Sequence, residues 1–457
     1  MYLLNLLLSE NSGIFRHIKC LKIPEFLDRP TNIIHTSYSM FVCSESPKES
    51  ITISIDSMDN YKSRFPRCAR EDKKSDATEK LMCHVTGVLM HGRPNPAQVY
   101  TWYDRFPASS DSIITILLDA LDKTATPTNP LPPTLYLHMD NCGRENKNRY
   151  VLAVCNMLVA KGIFKKVKLC FLPVGHTHDD CDQMFSRFAS KLCRKDIFIL
   201  EDLHSIMTKS YTLNSRKPVM HHLDNMGMWT AWMNDYLPKR VEGHREPRVF
   251  LFKRDPDDGV VRHWYRQQMQ TSKETQEDAY MPVNSKGFDM FPDGIPDIET
   301  VYAVPFKPMD VVTLKTTVND MMHRFRDGHE VWWRGLIEMF EFEDMQTCES
   351  CKELRKTIMA NASNCNDAKE LKRAKANAYQ KASKELMVHM SRAEGAHPLF
   401  TLPAILVSPG RYLNPNWEQI GEEDAEVMIS QMFTKFGNFW TYTIIFLTSI
   451  LGNYSCH

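Results

Sequence analysis

Carboxylates placed where secondary structure stops are the residues of this chain best suited to chemistry. Asp56 closes the run ITISID, Asp140 closes LYLHMD, and GHTHDDCDQMF gathers His176, His178, Asp179, Asp180, Cys181 and Asp182 within seven residues. Carboxylates delivered by separate strand ends can converge on one point, and a converged trio holds Mg²⁺ or Mn²⁺ against phosphate oxygens. The chemistry would be metal-assisted hydrolysis or transfer at a phosphodiester. The cationic residues are distributed to match. From Asp140 to Lys195 there are 11 Lys and Arg against 5 Asp and Glu, although the whole chain balances 56 against 56. Arg144, Lys147 and Arg149 follow Asp140 closely, and Lys165 and Lys166 open the next apolar run. These five are the candidate phosphate contacts.

Each motif also has a plainer reading. Asp140-Asn141 with Gly143 is compatible with a turn and a helix cap. The acidic cluster is compatible with a solvated helix N-terminus, where the macrodipole favours Asp. Against this, clustered carboxylates raise one another's pKa, and a strand–helix junction rarely accepts that without a cation. The GHTH string also resembles the last metal-ligand motif of calcineurin-like metallophosphoesterases. The upstream D-x-H, G-D-x-x-D and G-N-H motifs of those enzymes are missing in order, since Asp202-Leu203-His204 comes too late. Cys348 and Cys351 form a lone C-x-x-C, which is weak as a zinc site. Trp332 and Trp333 read as core. No P-loop or dinucleotide-binding glycine motif is present, so no nucleotide cofactor is expected.

The elements that must position the carboxylates follow from periodicity. Ile51, Ile53 and Ile55 alternate with Thr52 and Ser54, which predicts a half-buried strand ending at Asp56. Residues 81–91 and 98–106 predict two further strands around the breaker GRPNP. Ser109 or Ser110 can cap a helix carrying Ile113, Ile114, Leu117, Leu118 and Leu121. A strand over 135–140 follows, then a helix with Val151, Val154, Cys155, Leu158 and Val159 on one face and Gly162 as its stop. Residues 166–173 predict the next strand and 178–194 an amphipathic helix. Three strands, helix, strand, helix, strand, helix is the succession of an α/β, ribonuclease H-like fold: a mixed five-stranded sheet with flanking helices.

The 457 residues, 43% hydrophobic, predict several segments. Residues 1–48 are an unpatterned leader or remnant, 49–200 the ribonuclease H-like core, and 201–345 a mixed α+β accessory region. Residues 346–396 read as a charged, exposed helical insertion and 397–457 as a C-terminal segment. Thirteen scattered cysteines point to reduced intracellular thiols. The start MYLLNLLLSENSG lacks a basic n-region, and the apolar run 439–451 is too short to span a bilayer, so no membrane association is expected. Homo-oligomer formation is left open.

With the carboxylates placed, the strings SIDSMD, MDNCGRENKNRYVLA and KLCFLPVGHTHDDCDQMFSRF resemble those of uncharacterised transposon-associated eukaryotic proteins with a DDE-type, ribonuclease H-like core. The resemblance is close over about residues 49–200 and loose elsewhere. It implies Asp56 and Asp140 as the first two acidic residues and Asp182, within G-H-T-x4-D, as the third. It further implies two Mg²⁺ or Mn²⁺ ions, cleavage and strand transfer on DNA, and a nuclear location. The alternative is a domesticated DNA-binding or interaction protein that keeps the fold without turnover.

Helix geometry chooses among the clustered acids. At roughly 100° per residue, Cys181, Phe185, Phe188 and Leu192 define an apolar face, with Asp182 about 80° from its centre, Asp180 about 120° and Asp179 about 140°. A ligand must sit at the border of the buried face, which Asp182 fits. His176 would add a ligand or orient water. His178, Asp179 and Asp180 are additional ligand candidates, the latter two otherwise capping the helix or facing solvent. In metal-binding titrations Asp182→Ala should lose affinity while Asp180→Ala should keep it; the reverse pattern would refute the assignment.

Overall fold

A computed structural model describes residues 47–70, 80–126, 129–172, 180–241, 243–266, 281–282, 287–295, 301–304, 306, 309–345 and 399–407. Strands β1 (Ser50–Ser57), β2 (Cys83–His91) and β3 (Ala97–Tyr103) form an antiparallel meander. Helix α1 (Ser110–Thr124) leads to β4 (Thr134–Met139), α2 (Arg149–Ala160) leads to β5 (Lys166–Phe171), and α3 (Asp180–Leu192) follows. β4 lies parallel to β1 and β5 parallel to β4, giving the order β3-β2-β1-β4-β5 with only β2 reversed.

Local signals account for the boundaries. The Ser109 side chain accepts from the Asp111 amide and Ser112 Oγ accepts from the Ser109 amide, which fixes the start of α1. Asn148 accepts from the amides of Tyr150 and Val151 at the start of α2. Gly162, just past the end of α2, takes a φ of 74°, a left-handed conformation suited to glycine.

The sheet is larger than the expected five strands. β6 (Val219–His222) pairs parallel to β3, and β7 (Val249–Arg254), β8 (Val261–Arg266) and β9 (Met281–Pro282) extend it antiparallel beyond β5, giving nine strands. The boundary expected at residue 200 therefore falls inside one sheet. The physical reason is the outer edge of β5, whose backbone groups need partners. The β7–β8 hairpin supplies them and packs Phe250 and Phe252 into the core. Arg262 ties the hairpin's turn by pairing with Asp255 and Asp258.

Two apolar layers cover the sheet. Ile51, Ile53, Ile55, Leu135, Leu137 and Met139 face one way, against α1, α2 and a short helix α5 (Trp229–Met233). On the other face Val85, Leu89 and Val99 meet α3, α4 (Leu200–Ser210), α6 (Val311–Met321) and α7 (His329–Met345). Trp333 is core, as its sequence setting implied, with its indole N–H donating to the Phe198 carbonyl. The leader, the C-x-x-C and the charged insertion lie outside the described residues. Among the described residues no helix is long and apolar enough to cross a membrane.

Helix α3 approaches the sheet most closely at Gly87. A Cβ there would collide with the Met184 methyl and meet the Phe185 ring at 3.1 Å. Gly87→Val should therefore destabilise the protein by about 1–3 kcal/mol, the usual cost of overpacking a filled site. Urea unfolding would measure it, and an unchanged midpoint would show that α3 tolerates displacement.

Candidate functional site

Asp56 and Asp140 come together through strand register. In the parallel β1–β4 pair, Ile55 lies opposite Met139, so the next residue on each strand is a carboxylate at the same edge of the sheet. Alternation also assigns them a face. Asp56 shares the side of Thr52 and Ser54, and Asp140 continues the Tyr136 and His138 series. That face is the one α3 covers. Both carboxylates are half-buried and held by local donors. Asp56 Oδ1 accepts from the Ser57 amide at 2.8 Å. Asp140 Oδ1 accepts from the Cys142 amide at 3.1 Å and from the Asn146 side chain.

Beneath them lies a polar floor that the sequence reading passed over. Thr52, Ser54, Tyr136, His138, Lys168 and Cys170 are all buried on the α3 side of β1, β4 and β5. Parallel central strands usually read as apolar on both faces, so a polar face at this depth is unusual. The signal was present as period-two polar residues in ITISID, LYLHMD and KVKLCF, each string ending at the same edge. Burial pushes the His138 imidazole down to about 3, helped by the nearby His91 and Lys168. The ring is therefore neutral at ordinary pH.

Helix α3 is fixed over this floor by three contacts. Cys181 Sγ donates to the Ser54 carbonyl at 3.6 Å, Met184 lies against Gly87, and Asp180 Oδ2 sits 3.3 Å from His91 Nε2. Gly87 is the register partner of Asp56. The turn containing half-buried Asp182 thus spans the stretch from Ser54 to Asp56. Asp180, expected to cap the helix or face solvent, instead meets His91, because the first turn of α3 lies over the sheet rather than beyond its edge. Among the described residues no three His, Cys, Asp or Glu side chains are grouped closely enough to hold a metal ion. His176, His178 and Asp179 lie outside the described residues, as does the GHTH string.

The candidate phosphate contacts divide by location. Lys165 and Lys166 open β5 at the edge opposite Asp140, one strand length of about 20 Å away. That placement removes them from the carboxylate edge; the parallel register, invisible in composition, decides it. Arg149 is at the right edge, but its guanidinium donates to the Pro238 carbonyl at 3.0 Å and to Asn234 Oδ1 at 2.6 Å, which fastens the segment after α5. Lys147 is buried, with its ammonium 5.4 Å from the centre of the Phe171 ring. Burial and then Arg248 push its pKa down to about 8. Arg144 is exposed and pairs with Glu145 at 2.6 Å. Arg248, just before β7, and Arg266, the last residue of β8, reach the same edge, since the Phe171 amide donates to the Arg248 carbonyl and the Arg248 amide to the Arg266 carbonyl.

A family model described as a domain of unknown function, DUF7869, matches residues 73–270. The match runs from just before β2 to just after β8 and leaves β1 with Asp56 outside it. No curated protein and no solved structure matches the chain.

The neutral floor has a pH consequence. The His138 pKa is 6.5 when unperturbed and about 3 in the fold, so between those values the unfolded chain binds the extra proton. Stability is then complete above pH 6.5 and falls as pH drops through that window, by up to about 1.4 kcal/mol per pH unit for each such histidine. His263, also lowered to about 3 by burial, and His204, lowered to about 4, act in the same direction. Urea midpoints measured from pH 7.5 to 4.5 should decline, and His138→Asn should flatten the slope. An unchanged slope in that variant would show that His138 is not a source of it.

Proposed function

We propose that this chain carries a transposase-derived, ribonuclease H-like core acting on DNA phosphodiesters. The observation that supports this best is the placement of Asp56 and Asp140 abreast on neighbouring parallel strands, in the order β3-β2-β1-β4-β5 with only β2 reversed. Two carboxylates side by side repel, and an oxygen-only donor pair of this kind suits a hard dication. Asp56 and Asp140, with Asp182 on the covering helix, would hold Mg²⁺ or Mn²⁺, which when bound stabilises phosphodiester charge and acidifies water.

The protein's own residues have simpler tasks. The Cys142 amide and Asn146 orient the Asp140 carboxylate by bonding one oxygen, while Oδ2 takes part in neither bond. Arg144, Lys147 and Arg248 bring positive charge to the same edge, which suits a polyanion. A nuclear site of action follows from this reading. The second reading, a DNA-binding or interaction protein that retains the fold without turnover, is favoured by the contact of Asp180 with His91, which engages an acid of the cluster with the sheet.

Nicking of supercoiled DNA in the presence of Mn²⁺ separates the two. The full chain should nick, and Asp140→Asn or Asp56→Asn should slow it by about two orders of magnitude, the scale of losing one electrostatic group from a transition state. DNA binding without nicking by the wild type would select the second reading.

A further inference from the structure

We propose that Tyr61 and Arg64 form a stacking post for an unpaired base of single-stranded DNA led to the Asp56–Asp140 edge; the inference rests on the reading of this edge as acting on DNA. Tyr61 is 54% exposed, whereas most aromatic residues among the described residues are packed away. The Arg64 guanidinium lies 3.8 Å from the centre of its ring. Aromatic faces and guanidinium planes are the two surfaces on which splayed bases stack, and the stacking tolerates any base.

The post lies within a short length of chain of the carboxylates. Tyr61 follows Asp56 by five residues of chain, which limits their separation to about 17 Å, a span of a few nucleotides. The segment between them is anchored rather than loose. The Met58 amide donates to the Val85 carbonyl, and Asp59 Oδ1 accepts from the Tyr61 amide at 3.1 Å. Asn60 bonds the His84 ring at 2.9 Å, Ser63 Oγ donates to the Cys83 carbonyl at 2.6 Å, and Phe65 exchanges both backbone bonds with Leu81. An exposed ring carried on so firmly bonded a segment is a preorganised surface, which lowers the ordering cost of binding.

Charge identifies the occupant. Residues 60–70 carry Lys62, Arg64, Arg67 and Arg70 and no Asp or Glu. Arg67 is spent internally, donating to the Leu192 carbonyl at the end of α3 and to the Lys62 carbonyl. Lys62 and Arg70 are exposed. A stacking surface with Arg64 over its ring and exposed Lys62 next in the chain fits a single strand, whose bases are open and whose phosphates are close together. An intact duplex offers no free base face.

The test uses the full chain and fluorescence anisotropy with a labelled single-stranded DNA, an oligonucleotide of the same length abasic at every position, and an RNA of the same sequence. Tyr61→Ala should weaken binding of the base-bearing DNA by about five-fold or more, the low end of base–aromatic stacking. Binding of the abasic DNA should be unchanged, because only phosphates remain to be held. Tyr61→Phe, which keeps the ring, should bind like the wild type. Tyr61→Ala binding base-bearing DNA as tightly as the wild type, or losing both DNAs equally, would overturn the stacking role and leave the reading of the carboxylate edge intact. Preference for the RNA would overturn the commitment to DNA. A wild-type chain that binds no single-stranded DNA, and nicks none of the supercoiled DNA above, would remove the DNA reading itself.

Discussion

The parallel pairing of β1 with β4 is the constraint from which the rest of the site follows. Its register runs from Ser50 opposite Thr134 to Ile55 opposite Met139. Because side chains alternate, a slip of one residue would turn every inward isoleucine outward and send one carboxylate to the opposite face. Register is therefore enforced by the apolar layer under α1 and α2, where Ile51, Ile53, Ile55, Leu135, Leu137 and Met139 are buried. The carboxylate edge is aligned by the packing of apolar residues on the opposite face of the sheet.

The opposite face shows a different balance. Its floor of hydroxyls, one imidazole and one ammonium is buried, and α3 is held over it by a glycine-permitted contact and a thiol bond rather than by apolar packing alone. A low-dielectric setting strengthens any charge interaction made there and equally penalises a charge without compensation. That is why the imidazole of His138 stays neutral and why the two carboxylates stand at the rim, half in solvent, instead of deeper on the same strands.

The core was legible in the sequence because its signals are local. Alternation in ITISID and LYLHMD, a capping serine at 109 and a stop at Gly162 each depend on a few adjacent residues, and the boundaries agree with the structure within a few positions. That Asp56 and Asp140 each close a strand was legible for the same reason, and the parallel register sets both at one edge. What was not legible depends on long-range pairing. Nothing around Val249 or Val261 announces that they extend the sheet past β5, so Arg248 and Arg266 were missed as residues of the carboxylate edge. Lys165 and Lys166 were grouped with that edge because sequence proximity carries no information about strand direction. A helical wheel places Asp180 away from the apolar face but carries nothing of what lies beneath the first turn, where His91 stands. Tyr61 carried no periodic signal at all, being conspicuous only once its exposure is known.

The extension of the sheet beyond β5 has a consequence for synthesis. β5 leaves the ribosome long before β7, and at roughly 5–20 residues per second the interval amounts to several seconds. During that time the far edge of β5, with buried Cys170 and Phe171 beside it, faces water and any neighbouring nascent chain. Arg262 and the two aspartates of the β7–β8 turn favour prompt closure of the hairpin once it emerges. The last strands of this sheet to be translated therefore act as a seal on a sheet whose carboxylate edge is already made.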